Sequence, residues 1–232
     1  MNTNGNMNPN GNGFLARWRR LWQGRIPAPE QNLAPYRRLA LQLHYDLPRE
    51  DGCRSVLLAT PNPSPVSVQG SVALACCLTE ELLRPVLLID ACPKQPAVSH
   101  LLGCAGAPGL SDYLAAGPKM PLADLVLPTT YAYVAFLPAG TPTTLSKPAP
   151  PDEIAGLLRA IQQQYDFVLL CGGSLLNNSF ALAVAPYVGC VLLLAVENET
   201  LVGDLDSAQD ALAFCKARKV GIVFTTPAHS GR

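Results

Sequence analysis

The stretch Ala59-Thr60-Pro61-Asn62-Pro63-Ser64-Pro65-Val66-Ser67-Val68-Gln69 joins an apolar run, Ser55–Thr60, to a segment, Ser71–Leu83, that reads as a helix. Strand, short loop and helix in that order form the entry unit of a parallel α/β sheet. A loop in this position often cradles phosphate. Glycines then let consecutive N–H groups turn toward the anion, a lysine neutralises it, and a Ser/Thr hydroxyl holds Mg²⁺. This loop contains neither glycine nor lysine. Pro63 and Pro65 have no N–H to donate, and Ser64 and Val66 carry side chains where glycine would let the backbone approach.

Working outward, strands are predicted at 55–60, 86–90, 132–137, 166–171, 190–196 and 220–225, and helices near 67–83, 95–102, 110–116, 151–164, 177–185 and 201–218. Their alternation predicts a doubly wound, mostly parallel sheet flanked by helices on both faces. Leu201, Leu205, Ala208, Leu212 and Cys215 recur at helical spacing, as expected of a helix lying on that sheet. The uncharged run Phe180–Val196 is interrupted by Pro186 and Gly189, so it reads as helix, turn and buried strand rather than a membrane span. Thr141–Pro151, rich in Pro and Thr, is expected to be a surface loop.

The frame around the loop is more specific than the loop itself. Pro85-Val86-Leu87-Leu88-Ile89-Asp90-Ala91 is followed by Gln95-Pro96, His100-Leu101-Leu102-Gly103 and Pro108-Gly109-Leu110-Ser111-Asp112-Tyr113-Leu114-Ala115-Ala116-Gly117. Leu137-Pro138-Ala139-Gly140 and Tyr165-Asp166-Phe167-Val168 complete the series. In order and spacing, residues 33–226 resemble the cytoplasmic domain of the bacterial tyrosine kinases attached to polysaccharide co-polymerases. Those kinases are relatives of the cell-division and partition ATPases with a deviant Walker phosphate loop. The resemblance implies a P-loop NTPase-like single domain at 33–226, with N-terminal segments 1–13 and 14–32 and a tail at 227–232.

The departures from that family fall on its chemistry. The phosphate-loop lysine is Ser67, the Mg²⁺ ligand is Val68, and Ser64 stands where a glycine is expected. Asp90 matches the second nucleotide motif, but the acid expected two positions later is Cys92. The aspartate of the third motif, the Walker B position, is Cys171, followed by Gly172-Gly173-Ser174. The C-terminus, Thr225-Thr226-Pro227-Ala228-His229-Ser230-Gly231-Arg232, has no tyrosine cluster. The residues therefore predict a pseudo-ATPase or pseudokinase with no catalytic residue and no bound cofactor. By resemblance, it would serve as a scaffold or regulator in bacterial exopolysaccharide synthesis and secretion (capsule, holdfast or cellulose). Its expected partners are an inner-membrane polysaccharide co-polymerase or synthase, or an active ATPase homologue. An alternative is a positioning ATPase or kinase whose pocket is rebuilt around Asp90, Lys94 and residues supplied by another subunit, or a thiol nucleophile at Cys171 at the end of its strand.

Lysine plus arginine and aspartate plus glutamate both number 17, which gives no basic excess for nucleic acid. The eight cysteines show no metal-ligand spacing and, with only three histidines, predict no metal site but small buried thiols in a reducing compartment. Met1–Gly13 is Asn/Gly-rich without an apolar segment, so it is expected to be disordered and not a signal peptide, placing the chain in the cytoplasm.

Two further regions carry functional signal. If helical, residues 14–25 put Phe14, Leu15, Trp18, Leu21 and Trp22 on one face, with Arg17, Arg19, Arg20 and Arg25 flanking or opposing it. Such a segment suits a membrane interface, a partner's groove or packing on its own domain. The second, Pro35-Tyr36-Arg37-Arg38, opens a helix that in the resembled kinases carries a Glu…Arg…Arg pattern pairing subunits into a ring. Here those positions are Ala34, Arg37 and Ala40, so ring assembly by that route is not expected. Tyr36, Arg37 and Arg38 remain candidates for a different interface.

Overall fold

The computed structural model describes residues 33–49, 53–116, 120–141, 150–162 and 164–225. Seven strands form one sheet: β1 (Arg54–Thr60), β2 (Val86–Asp90), β3 (Leu127–Pro128), β4 (Val134–Leu137), β5 (Phe167–Ser174), β6 (Cys190–Val196) and β7 (Val220–Thr225). Their order is β3-β4-β2-β5-β1-β6-β7, and every pairing is parallel except the short β3–β4 edge. The predicted doubly wound sheet is therefore the observed one.

The central strands β1, β2 and β6 are buried almost end to end, because helices cover both faces. On one face lie α1 (Ala34–Asp46), α2 (Val66–Leu82) and α3 (Ala97–Leu101), packed on Val56, Leu58, Leu88 and Leu194. The other face carries α4 (Leu110–Ala116), α5 (Leu122–Leu125), α6 (Pro151–Gln162), α7 (Ser179–Val184) and α8 (Val202–Phe214), packed around Leu57, Ile89, Leu170 and Leu193. Successive strand residues point to opposite faces, so each strand feeds both clusters.

α2 is buried along most of its length, from Ser67 to Thr79, because α1 closes over it. Gly70 permits the close approach: a Cβ there would lie 3.2 Å from Leu194 Cδ1 and 3.4 Å from Tyr36 Oη.

Several expected boundaries move. β4 starts at Val134 rather than 132, since Tyr133 adopts a left-handed φ of 65°. The helix expected at 95–102 shrinks to α3, between Pro96 and the turn at Gly103. Between 177 and 185, α7 is framed by 3₁₀ turns at Leu175–Asn177 and Ala185–Tyr187. β5 does not stop at 171. It continues to Ser174 across a register shift opposite Leu58/Ala59, so Cys171-Gly172-Gly173-Ser174 lies within the strand rather than beyond its end. Phe180–Val196 resolves into helix, turn and strand as read, and among the described residues no helix is long and apolar enough to cross a membrane. Most of the expected Thr141–Pro151 loop lies outside the described residues.

Candidate functional site

The C-terminal ends of β1, β2 and β5 open into a cleft of about 820 Å³, where an open α/β sheet places its ligand. Ser64, Ser67, Val68, Asp90 and Cys171, all singled out in the sequence, line it together.

The loop after β1 is tied down by its own polar groups. Pro61 O accepts hydrogen bonds from Ser174 Oγ (3.2 Å) and Leu176 N (3.2 Å), and Thr60 Oγ1 donates to Gly173 O (3.3 Å). Pro61, Pro63 and Pro65 offer no N–H. Val66 N turns to Ser64 Oγ (3.4 Å), and Val68 N and Gln69 N close on Pro65 O (both 3.1 Å). Ser67 is only 1% exposed; its hydroxyl donates to Ser64 O (3.2 Å), and its carbonyl accepts from Ser71 Oγ (2.6 Å). Val68 packs against the hydrophobic cluster beneath α2. Three positions of the loop are thus proline, and the amides of Val66, Val68 and Gln69 are engaged within it rather than turned outward to an anion.

Asp90, fully buried at the end of β2, commits both oxygens to the protein. Oδ2 accepts from Ser99 N and Ser99 Oγ (2.8 Å each), and Oδ1 accepts from Cys92 N (3.2 Å). Ser99 Oγ in turn accepts from Ala139 N (3.1 Å), so the carboxylate fastens β2, α3 and the exit of β4 to one another. Burial raises its pKa to about 6, and the hydrogen bonds from Ser99 and Cys92 offset only part of that.

Cys171 is the Cα partner of Asp90 on the neighbouring strand. Its thiol is buried, donates to Ser67 O (3.6 Å) and is pushed up to about 12, first by burial and then by Asp90. Among the described residues no histidine bonds to it; His100 Nδ1 sits 2.7 Å from Pro96 O. This environment keeps the thiol protonated at neutral pH, the opposite of an activated nucleophile. Cys92 completes the wall, its Sγ 2.6 Å from where a Cβ on Gly173 would lie. Gly173 has a φ of 59°, so only glycine fits both the backbone and the thiol. Burial also raises the Cys92 thiol.

Sequence reasoning missed Asn178. Its Nδ2 donates to Ala91 O (2.9 Å) and Gly172 O (2.8 Å), while Oδ1 caps α7 by accepting from Phe180 N (3.1 Å) and Ala181 N (3.3 Å). One side chain therefore joins the ends of β2 and β5 to the helix bounding the cleft. Asn before a helical run is a readable N-cap signal, but its reach to two other strands is not local information. Lys94 stands exposed at the cleft's lining, with no ion pair among the described residues. Among those residues, no group of three or more His, Cys, Asp or Glu side chains could hold a metal.

No family model matches the chain, and no curated protein matches it in sequence. Solved structures do match. The VpsO kinase domain superposes with a TM-score of 0.69 at 21% identity, covering 84% of this chain and 96% of that one. The kinase domain of the Escherichia coli tyrosine kinase ETK gives 0.72 at 20%, covering 86% and 78%. This is the bacterial tyrosine kinase fold. The septum site-determining protein MinD from Pyrococcus horikoshii, solved with Mg-ADP, shares it more distantly, with a TM-score of 0.59 at 19% identity over 74% of this chain and 69% of that one. Such identities carry the fold alone.

Within the tyrosine kinase fold, the α1 candidates take distinct places. Arg37 lies between two carboxylates of its own chain, Glu80 (2.9 Å) and Glu81 (3.2 Å) on α2. Tyr36 is half-buried, packing its ring toward Gly70 and Leu194. Arg38 is exposed. Phe14, Leu15, Arg17, Trp18, Arg19, Arg20, Leu21 and Trp22 lie outside the described residues, as do the expected tails at 1–13 and 227–232.

Proposed function

We propose that this chain is a catalytically inactive, kinase-like scaffold or regulator of bacterial exopolysaccharide synthesis and secretion. It acts by protein–protein binding near the inner membrane. The observation that carries the reading is the wall of the cleft: a buried hydroxyl at Ser67, an apolar side chain at Val68 and a protonated thiol at Cys171. Each stands where the resembled kinases place phosphate or metal chemistry. Asp90, the remaining acid, is engaged by Ser99 and Cys92. The sheet domain then presents a fixed surface to a polysaccharide co-polymerase, a synthase or an active ATPase homologue.

Hydrogen bonds to charged groups contribute about 1.5–3 kcal/mol each. Loss of two phosphate contacts therefore weakens nucleotide binding by roughly a hundredfold to ten-thousandfold. Calorimetric titration with ATP and ADP, with and without Mg²⁺, at concentrations that detect submillimolar binding, should give no heat. Clear Mg²⁺-dependent binding would overturn the reading.

Lys94 favours a second reading, a rebuilt nucleotide pocket, because it brings an exposed cation to the cleft lining. On that reading, nucleotide binding or hydrolysis would be detectable and lost in Lys94→Ala and Asp90→Ala.

A further inference from the structure

β7 is an edge strand that its own crossover helix fails to cover. Val220, Ile222 and Phe224 are register partners of Val191, Leu193 and Ala195, so they share the sheet face on which α8 packs. They are nevertheless 39%, 37% and 80% exposed, and of the thirteen residues of α8 only Ala208 and Leu212 are buried.

The exposed side of α8 carries a stripe spaced by four residues: Val202, Asp206, Asp210 and Phe214. Val202 is 75% exposed and Phe214 89%. Asp206 and Asp210 make no ion pair among the described residues. Glu197 and Glu199 lie exposed just before the helix, and Asp204 bonds Asn62 Nδ2 (2.6 Å). The only cations on this stretch, Lys216, Arg218 and Lys219, sit past the far end of α8. Among the described residues, an apolar edge beside an acidic helix is thus left without a cover, a state that edge strands are normally built to avoid.

We propose that residues 14–25 of the same chain strap over this surface. Their composition is the complement of the patch: Phe14, Leu15, Trp18, Leu21 and Trp22 for the apolar strip, and Arg17, Arg19, Arg20 and Arg25, with no acidic residue, for the carboxylates of α8.

Chain geometry allows the docking in cis. α1 begins on the opposite face against α2, where Leu33 O lies 3.9 Å from Cys77 Sγ, and Tyr36 reaches toward the β7 side: its Oη and Leu194 Cδ1 flank the same point above Gly70, and Leu194 is the register partner of Val223. The seven residues 26–32 span up to about 23–25 Å when extended. Passing from one covering layer to the other around a single edge strand takes about two packing distances of roughly 10 Å. The linker reaches around the edge, and the strap caps it. This inference concerns the edge opposite β3 and does not depend on the state of the cleft.

Trp18 and Trp22 are the only tryptophans, so intrinsic fluorescence reads the strap directly. In the full chain, acrylamide should quench the emission about threefold less efficiently than in a synthetic peptide of residues 14–25, because docked rings are shielded from solvent. Combined Asp206→Arg and Asp210→Arg substitution, and separately Phe224→Ser, should bring quenching to the peptide's value. Glu153→Arg on α6 should leave it unchanged. Phe224 is exposed, so its variant stands even where the charge reversal fails to fold, as far-UV circular dichroism would show. Quenching in the full chain equal to that of the peptide overturns the proposal. So does protection that disappears on dilution, which assigns the contact to a second copy, or protection that appears only with phosphatidylglycerol vesicles, which assigns it to a lipid surface.

Discussion

Asp90→Asn isolates the carboxylate on which the cleft wall turns. Burial raises the Asp90 pKa from 3.8 to about 6, so between those values the folded protein binds a proton that the unfolded chain releases. Stability attributable to this group is full below pH 3.8 and is lost as pH rises through about 6. At about 1.4 kcal/mol per pH unit, the whole loss approaches about 3 kcal/mol, of which roughly 2 falls between pH 4 and pH 7. Asparagine has no charge to bury, and its carbonyl can still accept from Ser99. The variant should therefore gain on the wild type by about 2 kcal/mol between those pH values, whatever its offset at pH 4. Urea unfolding of both proteins across that range measures the difference, and other titrating groups cancel from it. Parallel pH profiles would show that Asp90 is not held against its charge. A variant that loses ground as pH rises would show the ionised carboxylate to be stabilised, as a metal or phosphate site needs.

Asn178→Ala removes a helix cap and the donors to two strand-end carbonyls, Ala91 O and Gly172 O. The expected loss is about 3 kcal/mol in urea unfolding, with Asn178→Asp recovering about 1 through the retained cap. Gly109→Ala places a Cβ 2.1 Å from Pro138 O, a main-chain atom, so it should destabilise by about 2–4 kcal/mol or abolish folding. Arg37→Ala loses two half-exposed ion pairs and should shift stability by no more than about 1 kcal/mol without changing the molecular mass in solution. Thiol titration of the native protein at pH 8 should start at the partly exposed Cys215. Cys53, Cys76, Cys104 and Cys171, pushed to about 12 mainly by burial, should follow only on unfolding.

The sheet was legible because its central strands are continuous apolar runs, such as Val86–Ile89 and Val191–Val196, separated by segments of helical period. Its limits were not. Gly172-Gly173 resembles a turn locally, yet the pairing of β5 with β1 and the thiol of Cys92 beside Gly173 hold it as strand. The short edge β3 rests on two residues, too few for any periodic signal. At the cleft, the residue types at 64, 67, 68 and 171 could be read directly because each differs from what the resembled family carries there. The engagement of Asp90 by Ser99, nine residues on, and of Asn178 by two strands depends on tertiary contacts that no spacing rule contains. The ion pairs of Arg37 could not be read along α1 because Glu80 and Glu81 lie more than forty residues away.

The prolines at 61, 63 and 65 have a consequence for recognition as well as for chemistry. Each fixes one backbone angle before any partner arrives and removes conformations from the unfolded chain, by about 0.4–1 kcal/mol where the native geometry accepts it. The loop is also tied down by its own contacts, with Pro61 O held by Ser174 and Leu176 and the loop closed on Ser64 and Pro65. A protein that docks against the mouth of the cleft therefore meets a rigid rim and loses little entropy in ordering it. On the proposed reading, the same prolines that would deny a phosphate its N–H donors give a docking partner a preorganised surface.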